Sequence, residues 1–227
     1  MRWFFDLLML LFPVNCLICS KRLPAPGDVL CLSCEQKIPR TGYRDHPKNP
    51  VFKGFWGRVP IEMATSLFRF EKGSSYQALL HDLKYRGNRK AGLYMGRLLG
   101  QELKHTIFAE CDLIIPVPQH RKRLRKRGYN QSEIIARGVS EVMNIPLERN
   151  LLKRTEHHSS QTSMGRYERY KNVYGNFKLT TYNPEANRKK ILLIDDVVTT
   201  GATLEACSEV ILSGYSSSVY IATVCCA

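Results

Sequence analysis

The sequence predicts an α/β fold on a mainly parallel sheet, and three observations carry that expectation. From about residue 61 onward, strand-like stretches alternate with stretches of helical period. Asp112-Leu-Ile-Ile-Pro-Val-Pro118 is a short apolar run that stops at prolines, as a buried parallel strand stops at a loop. Ile191-Leu-Leu-Ile194 is a second such run, followed by a glycine-containing loop and then a helical face. In sheets of this kind, ligands bind at the carboxyl ends of the strands.

The elements follow in order. Ile61 to Phe70 alternates as a strand, and Tyr76, Leu79, Leu80 and Leu83 mark one helical face. Asn130 opens a helix, with Glu133 three residues on as its capping-box partner and Ile134, Ile135, Val139, Val142 and Met143 as its core face. Val173 to Leu179 and Val219 to Val224 are further strands, and Leu204, Cys207 and Ile211 form a helical face closed by Gly214. Ahead of these, residues 1–40 hold four cysteines and residues 41–60 form a connector rich in Pro, Gly and aromatics. Residues 61–227 then form the main domain.

A chain of 227 residues with 44% apolar content has material for a real core. Its net charge of +14 and pI near 9.5 call for polyanionic partners: nucleic acid, phosphorylated metabolites or an anionic membrane surface. The apolar stretch Met1–Phe12 is about half the ~20 residues of a spanning helix. It is interrupted by Asp6 and lacks a small-x-small cleavage site, so it reads as a buried N-terminal helix with no transmembrane segment. A reducing, cytoplasmic location follows, with the inner membrane face as the peripheral option.

The sharpest motif is Ile191-Leu-Leu-Ile-Asp-Asp-Val-Val-Thr-Thr-Gly-Ala-Thr203. A buried strand delivers Asp195 and Asp196 to its carboxyl end, and a loop of small hydroxyl residues opens into a helix. Backbone N–H groups of Thr199, Thr200, Gly201, Ala202 and Thr203 would cradle a phosphate, with Gly201 letting the backbone come close. The two carboxylates suit a ribose diol, since they would repel the phosphate. The bland alternative is an Asp pair that merely caps the helix.

Cys16-x-x-Cys19 and Cys31-x-x-Cys34, separated by 11 residues, can supply four thiolates to one structural Zn²⁺. A redox C-x-x-C is the rival and would need a βαβ context that residues 10–40 lack. His120-Arg-Lys-Arg-Leu-Arg-Lys-Arg127 packs six cations into the seven residues from Arg121. Arg121, Arg123, Arg125, Lys126 and Arg127 would serve a diphosphate, a single-stranded DNA backbone or both, although a charge run is more often a solvated face. Tyr129, Tyr167, Tyr170 and Tyr174 are candidate stacking residues. His157-His158 reads as loop.

The Ile191–Thr203 stretch resembles the phosphoribosyl pyrophosphate (PRPP) signature of type I phosphoribosyltransferases. With it, Leu83-Lys-Tyr-Arg-Gly87, Ile115-Pro-Val-Pro118, Arg127-Gly-Tyr-Asn-Gln131 and Arg166-x-x-Arg169-x-x-Asn172-Val-x-Gly175-x-Phe177 resemble the blocks of the ComF competence-protein family. The resemblance covers essentially the whole chain. It implies a type I phosphoribosyltransferase fold behind a four-cysteine zinc module, PRPP with Mg²⁺, and a link to DNA uptake or use, with DNA-uptake or DNA-processing proteins as partners. By the same resemblance, Pro118 to Arg121, including Gln119, would face the pyrophosphate. Lys84 would reach PRPP from outside the core sheet, and Gln161 to Phe177 would be a flap closed by Arg166 and Arg169. Any catalysis would then fall on Asp195, Asp196, Lys84 and Arg121, with the acceptor undefined. A non-catalytic, DNA-handling module that uses PRPP as a structural or regulatory ligand is the alternative. Glutamine-dependent amide transfer is excluded, because the first cysteine, Cys16, sits in the zinc pair.

Overall fold

The computed structural model describes residues 13–25, 27–71, 73–74, 76–155, 176–180 and 183–227. Among these, the strands are β1 (Met63–Arg69), β2 (Leu113–Pro116), β3 (Leu152–Arg154), β4 (Phe177–Leu179), β5 (Lys190–Val198) and β6 (Ser218–Cys226). The helices are α1 (Leu32–Gln36), α2 (Pro50–Lys53), α3 (Gln77–Tyr85), α4 (Arg89–Leu103), α5 (Arg121–Arg127), α6 (Gln131–Met143) and α7 (Ala202–Gly214). A parallel sheet runs in the order β1-β6-β5-β2, with Ile115 opposite Leu193 and Ile194 opposite Ala222. β3 and β4 form a separate antiparallel pair.

Both sheet faces are covered. Leu192, Ile194, Tyr220, Ala222 and Val224 share one apolar cluster with α4 and α6, while Ile191, Leu193, Val219 and Ile221 share another with α7 and the connector. That double cover is why the strands read as continuous apolar runs. β1, expected to alternate, is buried at every position except Arg69. Both sheet edges are also occupied. Thr41 N–H donates to Leu67 O at 3.0 Å and Arg69 N–H to Pro39 O at 3.2 Å along β1. On β2, Ile114 N–H donates to Pro146 O and its carbonyl accepts from Glu148 N–H, both at 2.9 Å.

Helix α4 is absent from the periodicity-based reading because part of its buried face is glycine. A Cβ on Gly96 would lie 2.1 Å from Ile135 O, and one on Gly138 of α6 would lie 2.4 Å from Leu93 O. The two backbones therefore pack in direct contact, and an apolar-period search scores these positions as blank. Asn130 does cap α6, accepting from Ser132 N–H at 3.2 Å, but Glu133 turns to Arg149 at 3.5 Å and closes no capping box. Gly214 does not close α7 through a left-handed turn either. Tyr215 follows it in extended conformation, and Gly214 lacks a Cβ because Leu179 Cδ1 occupies that space at 2.3 Å.

Residues 14–38 are built into the core. Cys16, Leu23, Val29, Leu30, Cys34 and Ile38 belong to the same apolar cluster as Leu79, Leu80 and Leu83 of α3 and Met95 of α4. Polar ties reinforce the seam: Tyr76 OH donates to Lys37 O, Tyr94 OH to Glu35, and Arg40 and Arg44 both pair with Glu102. No helix among the described residues is long and apolar enough to cross a membrane. Met1–Phe12, His157-His158, Arg166, Arg169 and the three tyrosines at 167, 170 and 174 lie outside the described residues.

Candidate phosphoribosyl site and cysteine cluster

β5 runs on past the expected Ile194 and carries Asp195 and Asp196 at its carboxyl end. Asp195 Oδ1 accepts from Ser132 Oγ at 2.7 Å and from Asp196 N–H at 2.9 Å. Burial, then the neighbouring Asp196 charge, pushes the Asp195 carboxyl up to about 7, against the pull of the Ser132 bond, the Asp196 N–H and Lys84. Lys84 Nζ, at the last turn of α3, pairs with Asp196 Oδ2 at 3.1 Å. The structure thus brings Lys84 to the Asp pair, an ion pair that the sequence did not indicate.

Beyond the strand, Thr199 and Thr200 are exposed and Gly201 takes φ 77°, after which α7 begins at Ala202. The turn encloses a hollow of about 50 Å³ lined by residues 197–204 and Asp195. Gly201 has no room for a side chain, since a Cβ would sit 3.0 Å from the Phe55 ring. The outer side of the turn is held by Arg58, whose Nη1 donates to Thr200 O and Gly54 O at 2.8 Å each and whose Nη2 pairs with Glu205. Nothing in the sequence marked Arg58, one of four cations in the connector with Arg44, Lys48 and Lys53.

Next to the Asp pair lies a cavity of about 380 Å³, on the β2 side of the sheet. Its walls include Lys84, Gln119, Arg123, Arg127, Thr203 and the two aspartates. Helical spacing sorts the basic run: Arg123 and Arg127, one turn apart, line the cavity, while Arg121 is not among its lining residues. Three further lining residues were missed by sequence reasoning: Gln131, Ser132 and Arg154. Gln131 is 1% exposed with a partnerless Nε2, and Arg154 Nε is likewise buried without a hydrogen-bond partner. Burial first, then the Arg123 charge, lowers the Arg154 pKa. Both residues line the cavity, while these two unpaired atoms are themselves buried from it. A third cavity, about 330 Å³, lies across the Val198–Gly201 turn and is walled by Tyr43, Val51, Phe55 and Arg69.

The aromatic expectations divide. Tyr129 is buried, donates to Leu83 O and packs under the Arg89 guanidinium at 5.0 Å, so it is a packing residue and not a free stacking face. Tyr85, unmarked from sequence as an aromatic platform, is 68% exposed with Arg127 at 5.6 Å from its ring.

The four cysteines of the N-terminal segment come together as expected. Cys16 and Cys19 sit on a turn closed by Ser20 N–H to Cys16 O at 2.9 Å, and Cys31 and Cys34 flank the start of α1. Their sulfurs all lie within 4.8 Å of one another, and Cys19 Sγ and Cys31 Sγ are 3.7 Å apart. Four thiolates around one zinc, each at ~2.3 Å, require separations of ~3.8 Å. The set could hold a zinc ion, and with four protein ligands such a site is structural.

Comparison with known proteins now bears on the site. A model described as the phosphoribosyl transferase domain matches residues 129–227. Competence protein F of Haemophilus influenzae is 26% identical over 224 residues, covering 90% of this chain and 93% of that protein. The chain is a homologue of the ComF competence proteins. The DNA utilization protein YhgH of Escherichia coli K12 is 26% identical over 214 residues, covering 92% of the chain and 89% of the relative. Competence protein ComFC of Bacillus subtilis is 30% identical over 108 residues, or 47% of this chain and 41% of that one. Glutamine PRPP amidotransferase from B. subtilis overlays 60% of this chain and 26% of its own at 18% identity, with a TM-score of 0.43. The ComF homologue thus carries a phosphoribosyltransferase-like domain on a parallel α/β sheet, behind a four-cysteine cluster.

Proposed function

We propose that this chain binds PRPP, with Mg²⁺, at the carboxyl end of β5 and acts in DNA uptake or utilisation. The carrying observation is the pairing, at one strand end, of the Asp195–Asp196 carboxylates with the hollow that the Thr199–Thr203 turn encloses. In this reading the hollow takes the 5′-phosphate on backbone N–H groups at the start of α7, and the carboxylates accept from the ribose diol. The pyrophosphate points into the cavity toward Lys84, Arg123, Arg127 and Arg154, which would bear on the departing charge. Gln119 and Gln131 add neutral donors on that wall. Bound Mg²⁺ would supply further neutralisation of the diphosphate, with Asp195 and Asp196 the carboxylates at hand. Cations and leaving group on the β2 side leave the apolar cavity by Phe55 as the side from which an acceptor would approach. Arg166 and Arg169 remain proposed flap residues; Arg121, expected to face the pyrophosphate and take part in catalysis, does not line the cavity and keeps only its proposed nucleic-acid role.

The uptake role rests on the names of the relatives, Competence protein F and DNA utilization protein YhgH. Single-stranded DNA binding without turnover is the second reading, favoured by α5, a helix of six cations with no buried residue. Calorimetry with Mg-PRPP tests the site. Wild-type protein should bind, and Asp196→Ala, which leaves the buried part of β5 intact, should abolish binding. Equal affinity in the two proteins would refute the assignment. Pyrophosphate release in the presence of candidate acceptors separates turnover from ligand binding alone.

A further inference from the structure

We infer that Arg58 is a positioning residue for the phosphate turn, fixing the Thr200–Gly201 peptide so that the Gly201 N–H faces the hollow. The inference rests on the reading of that hollow as a phosphate subsite. In a trans peptide the carbonyl and the following N–H point to opposite sides of one plane. Arg58 Nη1 holds Thr200 O at 2.8 Å from a position outside the hollow, since Arg58 is not among the residues that line it. The far end of the same peptide, Gly201 N–H, is thereby turned inward.

Something has to make that choice. Gly201 sits at φ 77°, and glycine accepts both hands of the backbone, so the peptide has low intrinsic resistance to rotation. The guanidinium is suited to the task because its donors are set in a rigid planar fork. Here the fork is fixed at three acceptors: Gly54 O at 2.8 Å, Thr200 O at 2.8 Å and the Glu205 carboxylate. Phe55, in the same connector, packs against the turn, its ring 3.0 Å from where a Gly201 Cβ would be.

Charge gives a second reason for an arginine. Glu205 lies in the first turn of α7 with 4% of its side chain exposed. A buried carboxylate beneath an anion subsite would oppose a phosphate, and Arg58 offsets it. The connector 54–58 therefore functions as a strap across the back of the turn. Its ligand chemistry is that of a phosphate monoester, with no part in the diphosphate cavity.

Titration calorimetry with ribose 5-phosphate and, separately, inorganic pyrophosphate tests this on the full chain. Arg58→Ala should weaken ribose 5-phosphate about tenfold to a hundredfold, the loss of one charge-assisted bond plus the unmasked Glu205. Pyrophosphate affinity should stay at the wild-type value. Glu205→Gln, which retains the Arg58–Thr200 contact, should lose less than Arg58→Ala. Arg58→Lys should recover little, because one ammonium does not reproduce the fork. The Gly201 amide resonance should shift in Arg58→Ala and stay put in Glu205→Gln. Wild-type affinity for ribose 5-phosphate in Arg58→Ala overturns the inference, as does equal loss of both ligands, which marks a merely structural role. Wild-type protein that binds pyrophosphate and ignores ribose 5-phosphate overturns the reading of the hollow itself.

Discussion

Asp195 shows what one residue's surroundings impose. Its carboxyl titrates near 7 in the fold, because burial and the Asp196 charge resist ionisation, against ~3.9 in an unfolded chain. The folded state therefore holds the proton more tightly, and stability is full below ~4 and declines as pH rises through about 7. Asp195→Asn keeps an acceptor for Ser132 and removes the ionisation. Thermal melts should find the variant more stable than wild type at pH 8, by up to ~4 kcal/mol, with the gap closing toward pH 4. A gap that is the same at both pH values would show that Asp195 ionises freely. The Asp pair was legible because two acids ending an apolar run are rare and local. Arg154 and Arg58 were not, since neither belongs to a motif and the meaning of each comes from what folds against it.

Helices and strands were read with the same unevenness. β2, β5, β6, α3, α6 and α7 announce themselves through apolar runs or a full hydrophobic stripe. α4 does not, because its contact with α6 is made by missing side chains at Gly96 and Gly138. Gly96→Ala should accordingly be worse than a typical surface change: the new methyl meets a backbone carbonyl that cannot move alone. We expect a loss of ~2–4 kcal/mol in denaturant melts, of the order seen for overpacked interiors. A neutral or stabilised variant would mean the helices separate freely. α5 was not read as a helix either, because its residues form a basic run with no apolar face. His120 accepts from Lys122 N–H at 3.1 Å and Gly128, at φ 75°, ends the helix. If single-stranded DNA lies along it, neutralising Arg123, Arg125 and Lys126 together should lower affinity and flatten the salt dependence by about 0.7 in log–log slope per lost contact. An unchanged slope in the triple variant would exclude this helix. PRPP should compete partially, because Arg123 lines the diphosphate cavity while Arg125 does not.

For the molecule as a whole, the four-cysteine segment and the sheet share one apolar cluster. Cys16 and Cys34 are buried in the cluster that holds α3, and α3 carries Lys84 to Asp196. Spacing made the ligand set legible, but not that integration, which depends on contacts dozens of residues apart. One zinc per chain is expected by elemental analysis. Cys19→Ser should abolish it and lower the melting temperature of the entire protein in a single transition, because metal binding there is folding free energy. Two separate transitions, or a metal-free wild type prepared without chelator, would contradict this.

The segments 39–41 and 146–148, which lie along the outer strands β1 and β2, have a further consequence for colloidal behaviour. An open parallel sheet normally offers two rows of unpaired amides to any neighbour, and such rows seed aggregates. In this chain both rows are engaged by its own backbone, one of them by the stretch that joins the cysteine cluster to the connector. Removing the first 41 residues would thus uncover a sticky margin as well as an apolar face. The truncated protein should come out of solution by strand-to-strand growth, however strongly its positive charge keeps other copies apart.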